Sequence, residues 1–147
     1  MSDHPFEFRF RVRYAECDAQ QVVFNARYAD YVDIAINEYI RVLFGDYQQM
    51  LERKLDIQVV SLTLNWSAPA HFDEVLCARV EPKHLGNTSM VLNIAFVRHP
   101  DEKAIAEADI TYVMVNPDTM TKTPIPDDVR ERIKTAGRGT VISHAGE

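Results

Sequence analysis

The residues best equipped for chemistry lie together between Cys17 and Tyr28. Asp18 sits in the polar stretch Cys17-Asp18-Ala19-Gln20-Gln21, and the apolar run Val22-Val23-Phe24 follows it. A lone Asp in a loop is ordinarily a turn residue. Here, however, a helix is predicted to begin a few residues later, with Asn25 as its N-cap. The first amides of a helix have no intrahelical acceptor and carry the positive end of its dipole. A carboxylate beside such amides suits attack on a carbonyl. The carboxylate attacks or activates a nucleophile, and the amides hold the developing oxyanion. Cys17 shares the corner, but no His lies near it in sequence to draw off its proton, so it reads as a small packing residue.

The helix that must position these groups has the clearest pattern in the chain. Tyr28, Tyr31, Val32, Ala35, Ile36, Tyr39, Ile40 and Leu43 recur at three- and four-residue steps, opposite Arg27, Asp30, Asp33, Asn37 and Arg41. Gly45 stands where a left-handed C-terminal residue is expected. Before the helix, Pro5 to Tyr14 alternates as a strand, with Phe6, Phe8, Phe10, Val12 and Tyr14 inward and the mostly basic Glu7, Arg9, Arg11 and Arg13 outward. That outer face reads as a solvated surface or, alternatively, an anion-binding one.

After the helix, residues 46–56 read as a second helical piece. Strands are predicted over 57–66, 74–85, 88–98 and 104–116, with Gly86-Asn87 as the turn between the middle two. Pro69 marks the connection before Glu74, and apolar residues on both faces of 88–98 predict a central strand. A short helix over 127–136 starts behind Pro126, with Asp127 and Asp128 in its first turn. The expectation is one domain over residues 1–136 and a flexible tail over 137–147. A helix of about five turns buries its apolar stripe most simply under an antiparallel sheet, giving an α+β fold. The single-layer wrap leaves sheet edges open, which predicts self-association.

Composition narrows the functions. The 147 residues are 46% hydrophobic and carry 16 basic against 22 acidic side chains, a net charge of −6. That is a foldable chain with no basic footprint for nucleic acid. No apolar run reaches the roughly 18 residues of a membrane span. The first residues lack the apolar core of a signal peptide, and Cys17 and Cys77 form no redox or metal pair, so a cytoplasmic setting is expected. No HExxH, CxxC, EF-hand or glycine-rich phosphate loop occurs, and neither metal nor resident cofactor is expected.

Arg11-Val12, Cys17-Asp18, Val22-Val23-Phe24 and Tyr28, at these spacings, resemble the active-site segment of the 4-hydroxybenzoyl-CoA thioesterase family, hotdog-fold acyl-CoA thioesterases with a YbgC-like branch. The likeness continues to about Pro126, through Ala68-Pro69 and the Gly86-Asn87-Thr88-Ser89 turn. It implies a hotdog fold, an antiparallel sheet wrapped around one long central helix. It also implies hydrolysis of an acyl-CoA to free acid and coenzyme A, the coenzyme entering only as part of the substrate. The resemblance makes Asp18 the catalytic carboxylate, as nucleophile or general base, and the amide near Asn25 the carbonyl donor, with Val23, Phe24 and Tyr28 bordering the reacting group. Lys83, His84, Asn87 and Thr88 would meet the coenzyme A phosphates, and the assembly would be a dimer or homotetramer. Two positions depart from the family pattern. Gln21 stands where relatives have Gly or Ala, and Asn25 where many have His or Tyr. Gln21 questions the corner's backbone, because glycine supplies positive φ freely. The alternatives are an acyl-carrier-protein thioesterase, another hotdog thioester enzyme, or a non-catalytic acyl-CoA binder for which a distorted corner would argue.

Overall fold

The computed structural model describes residues 4–135 and 137–147; residues 1–3 and Ala136, the predicted end of the last helix and of the domain, lie outside that description. The elements run β1 (Phe6–Arg11), α1 (Arg27–Phe44), α2 (Tyr47–Glu52), β2 (Asp56–Trp66), β3 (Val75–Leu85), β4 (Ser89–His99), β5 (Lys103–Val115), α3 (Asp127–Thr135) and β6 (Val141–Ser143). The strands form one sheet in the order β2-β5-β4-β3-β1-β6. Every pairing in it is antiparallel except β1 with β6.

Period-two patterning decides which sheet face receives the helix. Met90, Leu92, Ile94 and Phe96 of β4, and Ala106, Ala108, Ile110, Tyr112 and Met114 of β5, are all buried. They join Phe6, Phe8 and Phe10 of β1 and the apolar stripe of α1 in one core. The stripe is the predicted one, Tyr28 to Leu43, extended by Phe44. Gly45 ends the helix at φ 97°, with its N–H on the Arg41 carbonyl at 2.8 Å. β4 occupies a central position, as its two apolar faces predict.

Four features differ from the sequence expectations. The first strand stops at Arg11, and Tyr14–Glu16 form a short 3-10 turn that leaves Tyr14 82% exposed instead of inward-facing. Helix α1 begins at Arg27 with Ala26 at the N-cap and no side-chain cap, so Asn25 does not cap it. The reason is a tight entry: the Arg27, Tyr28 and Ala29 N–H groups bond back three residues, to the carbonyls of Phe24, Asn25 and Ala26.

Residues 137–147, expected as a flexible tail, lie along the free edge of β1. Glu7 donates to the Thr140 carbonyl at 3.0 Å, and His144 donates to the Arg9 carbonyl at 2.8 Å. An unpaired strand edge is a template for any nearby segment, and Arg11 reinforces the match through the Ala145 carbonyl. The outer face of β1 is correspondingly not a solvated basic surface, since Glu7 is buried there between Arg9 and Arg79.

Register fixes what lies at each end of the sheet. Arg11 pairs with Val75 and Val75 with His99, whereas Leu85 pairs with Met90. The chain leaving β1 toward Asp18 therefore sits at the opposite end of β3 from the β3–β4 turn. Ten residues of strand separate the ends, roughly 30 Å.

Candidate active site

Asp18 opens a tight hairpin. Its N–H donates to the Val22 carbonyl at 2.9 Å, its carbonyl accepts the Gln21 N–H at 2.8 Å, and Cys17 pairs with Val23 across the ladder. Such a loop closes through one residue in the left-handed region, and that residue is Gln21, at φ 67°. The departure from glycine thus leaves the backbone geometry intact, at a strain of order 1 kcal/mol. One carboxylate oxygen of Asp18 accepts the Gln20 N–H at 2.8 Å. That bond is local and leaves the second oxygen for chemistry.

The returning strand carries the chain to the helix. Val22 bridges His71, the Val23 N–H reaches the Ala70 carbonyl at 2.9 Å, and the Phe24 N–H reaches the Glu16 carbonyl at 3.0 Å. The next two amides, of Asn25 and Ala26, have no acceptor among the described residues. They are the free donors at the start of α1. One hairpin thus carries Asp18 at its turn and the two amides at the end of its returning arm.

A cleft of about 660 Å³ opens beside Asp18, lined by Tyr14, Ala15, Cys17, Ala19, Gln21 and Phe72. Tyr14 and Phe72 meet edge-on at 6.0 Å and form its aromatic wall. Partial burial, and then the Glu16 and Asp18 carboxylates, push the Cys17 thiol up, which keeps it protonated and a poor nucleophile. His71 lies near the corner, but its ring is 3.6 Å from the Glu74 carboxylate.

The remaining predicted residues divide. Phe24 and Asn25 are exposed at the corner. Val23 and Tyr28 are not, being 3% and 1% exposed within the core. The Tyr28 ring packs on Tyr31, Trp66 and Phe96, and burial followed by the Glu74 charge pushes its phenol up to about 12. Lys83, His84, Asn87 and Thr88 lie at the far end of β3, so a single chain does not bring them to Asp18. Lys83 is held by Asp109 at 2.6 Å, and Arg130 and Ile125 bind the carbonyls of the Gly86-Asn87 turn. Among the described residues no cluster of His, Cys, Asp and Glu is arranged to hold a metal.

Sequence reasoning missed Glu16. Its carboxylate is buried and receives the Arg13 main-chain N–H, the Arg13 guanidinium and the Tyr31 hydroxyl. The available signal was Tyr31 itself, an inward helical tyrosine whose hydroxyl needs a partner.

A sequence model of the thioesterase superfamily matches residues 20–105, more than half of the chain. The chain belongs to that superfamily. The family match takes in the Gln21 turn, the free amides and the β3–β4 turn. Relatives extend the likeness beyond the matched segment. The acyl-CoA thioesterase YbgC of Haemophilus influenzae is 27% identical over 131 residues, 88% of this chain and 95% of its own. A crystal structure of a hypothetical protein from Aquifex aeolicus aligns at a TM-score of 0.80 with 25% identity, over 88% of this chain and all of that one. A gentisyl-coenzyme A thioesterase aligns at 0.75 with 25% identity, over 84% and 98%. The architecture is accordingly the hotdog fold, with α1 as the wrapped helix.

Proposed function

We propose that this thioesterase-superfamily protein hydrolyses acyl-CoA thioesters to a free carboxylic acid and coenzyme A. The observation that carries the reading is the pairing, in one corner, of the Asp18 carboxylate with the acceptor-free amides of Asn25 and Ala26. The thioester carbonyl sits on those amides, which strengthen as negative charge builds on its oxygen. As general base, Asp18 takes a proton from water while the water oxygen bonds to the carbonyl carbon. Collapse of the tetrahedral species breaks the carbon–sulfur bond, and the thiolate leaves with the proton returned from Asp18. As nucleophile, Asp18 instead forms a mixed anhydride with loss of the thiolate, and water then splits the anhydride. Both routes need an ionised Asp18, and both end with the carboxylate restored.

Gln21 takes the positive φ and the hairpin keeps both of its main-chain bonds, which supports catalysis over the non-catalytic binder that a distorted corner would favour. The reading includes a homo-oligomer. Among the described residues no strand pairs with the outer edge of β2, and Val59, Val60 and Trp66 on that strand are 55%, 59% and 45% exposed. In a dimer or tetramer a neighbouring copy would supply the turn of Lys83, His84, Asn87 and Thr88 to the coenzyme A end of the substrate. Asp18 and that turn then serve one site from two chains.

Free-thiol release from short, long and aromatic acyl-CoAs tests the reading, with wild type and Asp18→Asn in parallel. Release that collapses in the variant supports it and ranks the acyl groups. Undiminished release by Asp18→Asn removes Asp18 from the mechanism, and absence of release from every substrate rejects coenzyme A thioesters.

A further inference from the structure

Glu16 is a buried carboxylate that this mechanism leaves without a task. It is 8% exposed. Oε1 accepts the Arg13 N–H at 2.8 Å and the Tyr31 hydroxyl at 2.9 Å, while Oε2 accepts Arg13 Nε at 2.9 Å. Its main chain is engaged as well, because its carbonyl takes the Phe24 N–H at 3.0 Å. Asp18 follows Glu16 by two residues, and the Asn25 and Ala26 amides follow Phe24 by one and two. Both halves of the corner therefore hang from Glu16.

The other end of the clamp is fixed. The Tyr31 ring packs on Phe10 at 4.5 Å, Tyr28 at 5.5 Å and Phe96 at 6.3 Å, so its hydroxyl is a rigid post on α1. Burial first, and then the bond to Glu16, push the phenol upward and keep it a donor. The Glu16–Tyr31 pair is buried and fully bonded, with Arg13 closing it from the solvent side, and such a pair holds one geometry. Both oxygens of the Glu16 carboxylate and the Tyr31 hydroxyl are engaged with each other and with Arg13, which suits them to holding rather than to reacting.

We propose that Glu16, anchored by the Tyr31 hydroxyl, is a positioning residue for thioester hydrolysis: it sets the separation between the Asp18 carboxylate and the Asn25–Ala26 amides. This rests on the role of Asp18 given above. The demand for such a part is physical. Carbonyl attack tolerates little misplacement, and a shift of about 1 Å costs about a hundredfold in rate. The corner itself is a short hairpin on an exposed surface; its returning arm meets α1 through the entry bonds of Arg27, Tyr28 and Ala29, whereas the arm that carries Asp18 has no main-chain bond to α1. Glu16 supplies that tie through both its side chain and its carbonyl.

The test uses the full chain with Tyr31→Phe, Glu16→Gln and the double variant, and Asp18→Asn as reference. Steady-state kcat and KM are read on an acyl-CoA that wild type turns over. Amide exchange of residues 17–26 is read by mass spectrometry. Tyr31→Phe removes one hydroxyl from a retained ring and is the variant that folds if Glu16→Gln does not. It is expected to lower kcat about ten- to hundredfold with KM changed less than about twofold. The double variant is expected to match the worse single variant, because the two residues act as one unit. Exchange over 17–26 rises, while β4 and β5 keep their protection. Unchanged kcat in Tyr31→Phe and Glu16→Gln, beside an inactive Asp18→Asn, overturns the positioning role and leaves the thioesterase reading standing. If wild type releases no thiol, that reading fails and the exchange data decide the clamp. Faster exchange over 17–26 upholds it, and unaltered exchange overturns it.

Discussion

Two glutamates near the first strand are almost equally hidden, Glu7 at 4% and Glu16 at 8% exposure, and both are bound by arginine. Their partners separate them. Glu7 lies between Arg9 of its own strand and Arg79 of β3, and Arg79 continues to Glu102 through two bonds of 2.7 and 2.8 Å. That network ties strand to strand on the outer face of the sheet. Glu16 binds Arg13 and the Tyr31 hydroxyl, and so ties the end of a strand to the central helix. Burial of a carboxylate thus says only that it has partners. What those partners belong to decides whether it holds up the fold or holds a site in place.

The sharpest way to break the contrast begins at Asp18. Asp18→Asn is expected to lower kcat about a thousandfold with the unfolding midpoint unchanged. Loss of stability instead would make Asp18 a scaffold residue. Glu7→Gln is expected to do the reverse. It removes a charge facing two arginines that are each about a quarter exposed, a loss of about 2 kcal/mol in urea unfolding once solvent screening is allowed for. Turnover per folded molecule stays at the wild-type level, and a drop in kcat there would erase the distinction from Glu16.

Acid sharpens the same point. Burial alone would raise the Glu7 carboxyl, but the bonds to Arg79 and Arg9 outweigh it and hold the group below its ordinary value of 4.5. A lowered folded value means that the stabilisation is complete above about pH 4.5 and is lost as pH falls through the lowered value. Wild type should therefore lose more stability than Glu7→Gln between pH 5 and pH 3, a difference read from unfolding midpoints at each pH. Equal slopes would mean that Glu7 is not the titrating group. The smallest effect belongs to Gln21→Gly. Relief of strain at φ 67° and the added freedom of the unfolded chain oppose each other, leaving stability within about 1 kcal/mol and kcat unchanged.

Periodicity made most of the architecture legible. The α1 stripe, the central position of β4 and the inward face of β5 all follow from spacing, because packing against a common core repeats at every turn or second residue. Elements set by one or two contacts were not legible. β6 has three residues, too few for a period, and its place comes from the open edge of β1. Ala26 displaced Asn25 from the cap position because three tight entry bonds, not a side chain, begin the helix. In the candidate site, Asp18 was singled out by its spacing from the helix start, and the backbone at Gln21, at φ 67°, was questioned only because the resembled family has Gly or Ala there. Glu16 was not, since its decisive partner, Tyr31, is fifteen residues away and on another element.

The register of β3 bears on how such a protein can diversify. One strand of eleven residues, its register with β4 shifting between Pro82 and His84, carries Val75 at the Asp18 end and Leu85 at the turn end. Substitutions that far apart, with no shared neighbours, combine additively. Within one chain, changes around Lys83 to Thr88 therefore leave the stability of the Asp18 corner unaltered, and the reverse holds as well. In an assembly that brings the turn of one copy to Asp18 of another, the two ends meet again in function, so their independence holds for stability and not for the site.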